Sequence, residues 1–128
     1  NKARPFMYTT ALPPAVCAAS IAGIKLIRKN PSLRKSLWNN VRYLKKELDL
    51  LNFNLIPSES PIIPILIGDA KKAVDVSKFL YKKGILILAI RPPTVPAKSS
   101  RLRMTVMSTH TKKDLEKLLD VLSNVQNL

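Results

Sequence analysis

Pro92, Pro93 and Pro96 fall within five consecutive positions, and neither a helix nor a central strand tolerates that density. Each proline fixes φ and removes a backbone donor, so Arg91-Pro92-Pro93-Thr94-Val95-Pro96 reads as a stiff loop. Runs with strand character flank it. Ile85 to Ile90 is apolar and rich in β-branched residues. Arg101 to Met107 alternates charged and apolar side chains (Arg101, Leu102, Arg103, Met104), the pattern of a half-exposed strand.

The rest of the chain divides around this pair. Residues 1–10 look extended and lead into Leu12-Pro13-Pro14, which suits a helix entry. A helix follows from about Pro13 to Lys29, with small alanines at 15, 18, 19 and 22, and Asn30-Pro31 breaks it. A second helix spans about Ser32 to Leu51, because Leu33, Leu37, Val41, Leu44, Leu48 and Leu51 recur at steps of four and three. The lysines and arginines between them form the opposite, solvated face. Residues 52–60 read as a loop. Ile62 to Ile67 is a short strand, with Pro61 and Pro64 pointing to an edge or an irregular start. Gly68-Asp69 turns into a helix over about Ala70 to Lys83, and Gly84 supplies its stop. Thr111 caps a last helix, with Asp114 as capping-box partner and Leu115, Leu118, Leu119, Leu122 and Val125 on its apolar face. The order helix, helix, strand, helix, strand, strand, helix predicts a small α+β domain. Its helices pack on one face of a mainly antiparallel sheet of about three strands.

At 128 residues the chain suits one domain able to bury a real core. With only three glycines, a glycine-rich phosphate cradle is nearly excluded. No apolar run reaches membrane-spanning length; Ala11 to Ile27 comes closest, interrupted by Pro13, Pro14, Ser20 and Lys25. That stretch also makes a poor signal peptide. The single cysteine excludes an internal disulfide and suits a reducing cytoplasm; Cys17, on an apolar helix face, reads as a buried, inert thiol. Basic residues outnumber acidic ones 22 to 8, a net charge of +14 that attracts polyanions or phosphorylated ligands. Asn1 in place of Met is expected of a processed, truncated or engineered fragment.

Self-contained catalytic machinery is not visible. With one histidine, no histidine-rich metal centre can be built. His110 stands just before a helix, where bonding to the turn is its ordinary use. The acidic residues are scattered, with no close pair at a strand end. The segment from Arg91 to Arg103 is different. Its stiff loop feeds a strand that presents Arg101 and Arg103 on one face, two residues apart. A guanidinium held by rigid backbone suits a carboxylate, which arginine binds bidentately while staying charged. Thr94, in the same loop, offers a hydroxyl. The alternative is a pair of surface arginines on an edge strand. Near the N-terminus, Tyr8-Thr9-Thr10 precedes a helix; paired hydroxyls there suit either phosphate binding or simple capping.

Taken in order, several motifs resemble one family. Tyr8-Thr9-Thr10-Ala11-Leu12-Pro13-Pro14, Ser60-Pro61-Ile62-Ile63-Pro64, Gly68-Asp69, Ala89-Ile90-Arg91-Pro92-Pro93-Thr94-Val95-Pro96, Arg101-Leu102-Arg103 and His110-Thr111 are similar to stretches of the α-oxoamine synthases. These are fold-type-I enzymes dependent on pyridoxal phosphate, and the match spans nearly the whole chain. The resemblance implies a small C-terminal domain over residues 1–128, its first helix linking to a large cofactor-binding domain outside this sequence. The Ile-Arg-Pro-Pro-Thr-Val-Pro form is most similar to the branch that condenses L-alanine with a pimeloyl thioester and releases CO2. By the family pattern, Arg103 and Thr94 bind substrate. Thr9 and Thr10 reach the cofactor phosphate of the opposite subunit in a homodimer.

The family's Schiff-base lysine lies upstream, and no lysine of this chain takes its place. The sequence alone is therefore expected to be inactive, with no catalytic residue and no metal site. Two alternatives stand: a glycine-using relative that takes acetyl-CoA, and a basic nucleic-acid-binding module. Against the second, aromatic residues are only 5% of the chain and do not interleave with the basic clusters as a stacking platform would. Neither nucleic acid nor membrane is an expected partner.

Overall fold

The computed structural model describes Lys2 and residues 11–127. It divides into two compact units, Asn1–Arg34 and Lys35–Leu128. The first unit holds α1, Pro14–Lys29, entered through a proline at its first position and closed where the Asn30 backbone N–H donates to the Leu26 carbonyl. None of its residues is buried. Val16, Ile21, Ile24, Leu26 and Ile27 are exposed, and so is Cys17, contrary to the buried thiol expected from the sequence. The apolar pattern was real, but among the described residues of this unit nothing buries it.

α2, Pro31–Leu50, carries the chain into the second unit. There follow β1 (Ile62–Gly68), α3 (Ala70–Lys82), β2 (Leu88–Ile90), β3 (Ser100–Thr105), α4 (Lys112–Ser123) and a closing 3-10 turn, Asn124–Asn127. The sheet order is β1-β3-β2, with β3 antiparallel to both neighbours. Strands β1 and β2, joined through α3, are therefore parallel but separated by β3. This is the α+β arrangement read from the sequence. No described helix is long and apolar enough to cross a membrane.

Period-2 alternation builds the core. Ile63 and Ile65 on β1, and Leu102 and Met104 on β3, point to one face and are buried. Val41, Leu44 and Leu48 of α2, Val76 and Leu80 of α3, and Leu115, Leu118 and Leu122 of α4 join them in one cluster. Leu33, expected on the apolar face of α2, is exposed, and Leu37 is only half-buried. The buried stripe begins at Val41, about two helical turns later than the heptad-like spacing implied.

Local chemistry explains the edges. Pro64 sits mid-strand because its backbone faces away from β3: its carbonyl accepts from Ile56 N–H at 3.0 Å, on the outer edge where Leu55 bridges Ile65. Between Leu66 and Gly68 the register slips, and Gly68 takes a φ of 84° to absorb the bulge. The second strand is shorter than the apolar run Ile85–Ile90. Its first residues are used elsewhere: Ile85 N–H donates to Leu80 O at 2.9 Å to close α3, and Ile87 O accepts from the Ser77 hydroxyl at 2.6 Å. Strand β3 likewise stops at Thr105, since Met107 N–H turns toward His110 Nδ1 at 3.3 Å. At α4 the expected capping box is complete: Asp114 N–H donates to Thr111 Oγ1, while Thr111 N–H donates to Asp114 Oδ2.

Candidate functional site

Arg103 occupies the middle of β3, opposite Pro64 on one neighbour and Leu88 on the other. Alternation sends Ser100, Leu102 and Met104 into the core and Arg101, Arg103 and Thr105 to the face away from it. The two arginines thus share one face, as their spacing predicted. Their environments differ. Arg101 is half-buried and its Nε donates to Ser99 O at 3.0 Å, so its side chain is tethered to its own strand. Arg103 is exposed, and among the described residues no carboxylate lies within ion-pairing distance of it. Its planar fork of donors is open to an anion.

The loop from Arg91 to Ser99 joins β2 to β3 at the end of the ladder where Ile90 pairs with Arg101. Thr94 is exposed, and its N–H donates to Arg91 O at 3.1 Å in a turn that contains a cis Pro92–Pro93 bond. Ser99 N–H and its hydroxyl both donate to Pro96 O, at 3.2 and 2.7 Å, which ties the end of the loop to the start of β3. Thr9 and Thr10 lie outside the described residues.

His110 plays the structural part foreseen for it. Its Nδ1 accepts from Met107 N–H and its carbonyl accepts from Asn40 Nδ2 at 3.0 Å, so it fixes the turn into α4 against α2. Asp114 beside it is held below the ordinary carboxylate range, first by the Thr111 hydroxyl and then by the Thr111 backbone N–H.

A cavity of about 600 Å³ opens beside Arg103. Leu86, Leu88, Met107 and Leu118 supply apolar wall, and Lys117 shares the lining with Arg103. Leu86 and Leu88 are 75% and 56% exposed, although a continuous apolar run reads as a buried strand. The sequence carried no sign of this cavity, because residues 84–88 meet the later stretch 103–118 only in the fold. Among the described residues no cluster of histidine, cysteine and carboxylate side chains can hold a metal ion.

A model of the aminotransferase class I and II family matches residues 1–122. The chain belongs to that family. Within it, the 8-amino-7-oxononanoate synthase of Thermoanaerobacter pseudethanolicus is 40% identical over 98% of this chain and 32% of its own length. A Thermus thermophilus protein named for two activities, 8-amino-7-oxononanoate synthase and 2-amino-3-ketobutyrate coenzyme A ligase, is 41% identical over the same shares, 98% and 32%. Among solved family members, a serine palmitoyltransferase variant from S. paucimobilis, with a bound PLP–myriocin aldimine, superposes with a TM-score of 0.87 at 27% identity, covering 97% of this chain and 32% of that one. The chain therefore spans about a third of the length of the curated relatives it matches.

The lysines of this aminotransferase-family chain do not suit covalent attachment of pyridoxal phosphate. Every described lysine is exposed except half-buried Lys45, whose ammonium donates to Ser58 O at 2.5 Å. The dipeptide Ser77-Lys78 lies on α3 with the lysine exposed and the serine bonded to Ile87 O.

Proposed function

We propose that this chain is the small C-terminal domain of a pyridoxal-phosphate-dependent acyltransferase. The reaction condenses L-alanine with a pimeloyl thioester, on coenzyme A or a carrier protein, and releases CO2 and free thiol to give 8-amino-7-oxononanoate. The observation that carries this reading is the open Arg103 guanidinium on the sheet face away from the core, on the strand that the proline loop bearing Thr94 leads into. The names of the relatives support it.

In this reading Arg103 holds a substrate carboxylate in a bidentate pair and fixes its orientation. Tethered Arg101 keeps a second positive charge on the same face and raises the local attraction for anions. Thr94 contacts the substrate through its hydroxyl. Thr9 and Thr10 bind the cofactor phosphate of the opposite subunit in a homodimer, the two hydroxyls and nearby N–H groups acting as donors. Pyridoxal phosphate, when bound, supplies the electron sink that lets the amino acid carry a nucleophilic carbon. Its covalent anchor lies outside the described residues, in a large domain to which α1 forms the link. Exposed apolar residues on α1 suit that role. A cytoplasmic home suits a single free thiol. Neither nucleic acid nor membrane takes part.

A second reading has specific support, because the Thermus thermophilus relative is also named a 2-amino-3-ketobutyrate coenzyme A ligase. That enzyme type would use glycine and acetyl-CoA. Thiol release by the full-length protein with cofactor, across a grid of amino acids and acyl thioesters, separates the two. Release that requires L-alanine and a pimeloyl thioester is expected. Release with glycine and acetyl-CoA alone would replace the substrate pair and keep the enzyme class, and no release with any pair would overturn the reading.

A further inference from the structure

We infer that the cavity between Arg103 and Lys117 takes the acyl chain of the donor, and that Lys117 selects donors whose chain ends in a carboxylate. This deepens the reading above and rests on it. The cavity, about 600 Å³, lies within the range of small-molecule sites, about 300–1,000 Å³. Its composition suits an apolar chain with one charged end. Leu86, Leu88, Met107 and Leu118 line it with hydrocarbon, and three of these are large side chains left more than half exposed. Methylene groups laid against them would leave water with a gain that scales with buried area.

The charges stand where such a ligand would need them. Arg103 lines the cavity from β3, and Lys117 lines it from α4. The Lys117 ammonium lies over Gly84, 3.5 Å from where a β-carbon on that residue would stand. Gly84 has a φ of 77° and no side chain, which leaves that space to the lysine. Asp114 also lines the cavity and stays negative, because the Thr111 N–H and hydroxyl that donate to its Oδ2 favour the carboxylate, and the Lys117 charge already acts on it. An incoming carboxylate shares that ammonium with Asp114, and Arg103 and Lys117 together still leave the lining net positive. The salt bridge found among the described residues, Lys112 to Glu116, is on the same helix and does not involve Lys117. A carboxylate at the far end of an acyl chain would meet an ammonium and form a charge-assisted hydrogen bond. An acyl chain without that carboxylate would gain the apolar contacts and forgo the ion pair. Lys117 is thus a specificity-determining residue for the acyl donor.

The experiment compares kcat/KM for pimeloyl-CoA and heptanoyl-CoA, which have equal chain lengths and differ at the terminal carboxylate. It uses the full-length holoenzyme with saturating L-alanine. Lys117→Met is expected to cut the preference for pimeloyl-CoA by about tenfold to a hundredfold, mostly through KM, as loss of a hydrogen bond to a charged group does. Lys117→Arg is expected to restore most of the preference, and Lys117→Glu to lower it further. Lys113→Met, on the same helix but outside the cavity lining, controls for the loss of one positive charge. An unchanged preference in Lys117→Met, or an equal fall in Lys113→Met, would overturn the assignment while the enzyme reading stands. Wild-type enzyme inactive with both donors would overturn the reading itself, and this assignment with it.

Discussion

Leu88 stands directly opposite Arg103 across the β2–β3 ladder, an exposed leucine beside an exposed arginine on the same sheet face. An apolar surface next to a guanidinium lowers the local dielectric response and strengthens any ion pair formed there. For Arg103 the prediction concerns activity and not folding. Arg103→Gln should lower kcat/KM of the full-length enzyme for its amino acid by a hundredfold or more, an effect of about 3 kcal/mol for loss of a charged bidentate partner. Arg103→Lys should recover little of it, because an ammonium cannot reproduce the planar fork. The melting temperature should stay near the wild-type value, since the side chain makes no core contact. Steady-state kinetics and a thermal melt on the same samples check both halves.

Core substitutions should behave in the opposite way. Leu102 is fully buried between the sheet and its helices, one residue before Arg103. Leu102→Ala should destabilise by about 2–5 kcal/mol through lost transfer energy and a residual cavity. Denaturant unfolding followed by circular dichroism measures it. The neighbouring positions 102 and 103 then separate stability from activity along a single strand.

How much of this was legible in the sequence depends on the range of the interactions involved. Period-2 alternation over Arg101–Met104 assigned faces correctly, because only one backbone geometry puts such residues on opposite sides. The Thr111–Asp114 box was legible for the same reason: both partners lie within one turn. The extent of β2 was not. Ile85–Ile90 looks uniformly strand-like, and only the distant Ser77 hydroxyl and the closure of α3 withdraw its first residues from the ladder. The exposure of Cys17 and Leu33 was also hidden, since an apolar pattern says that a face is sticky and not what covers it. The cavity at Arg103 draws walls from β3, from the stretch before β2 and from α4, and no local motif encodes that meeting.

The Ser77 bond gives a direct test of that account. Ser77→Ala removes the donor that holds Ile87 O at 2.6 Å and leaves a carbonyl in a half-buried setting without it. The expected cost is about 1 kcal/mol. Amide hydrogen exchange should also rise at residues 85–88 more than at β3. Equal protection in both proteins would mean that this segment is held by side-chain packing instead.

The cap of α4 carries the pH dependence. The Asp114 carboxylate accepts from the Thr111 hydroxyl and backbone N–H, which holds it below its ordinary value of 3.8. A group depressed in the folded state binds protons more readily when unfolded. Its contribution is therefore fully present above the unfolded value and is lost as pH falls through the folded one. Stability measured from pH 6 down to pH 2 should fall in that acidic window, and Asp114→Asn should flatten the part of the fall that belongs to this residue. Thr111→Ala, which removes the cap itself, should cost about 1 kcal/mol at neutral pH. It should also weaken the acid dependence, because the carboxylate then loses the hydroxyl that does most to depress it. An Asp114→Asn protein with an unaltered acid profile would place the titrating groups elsewhere. The capping box would then be a purely geometric stop, setting where α4 begins without sensing protons.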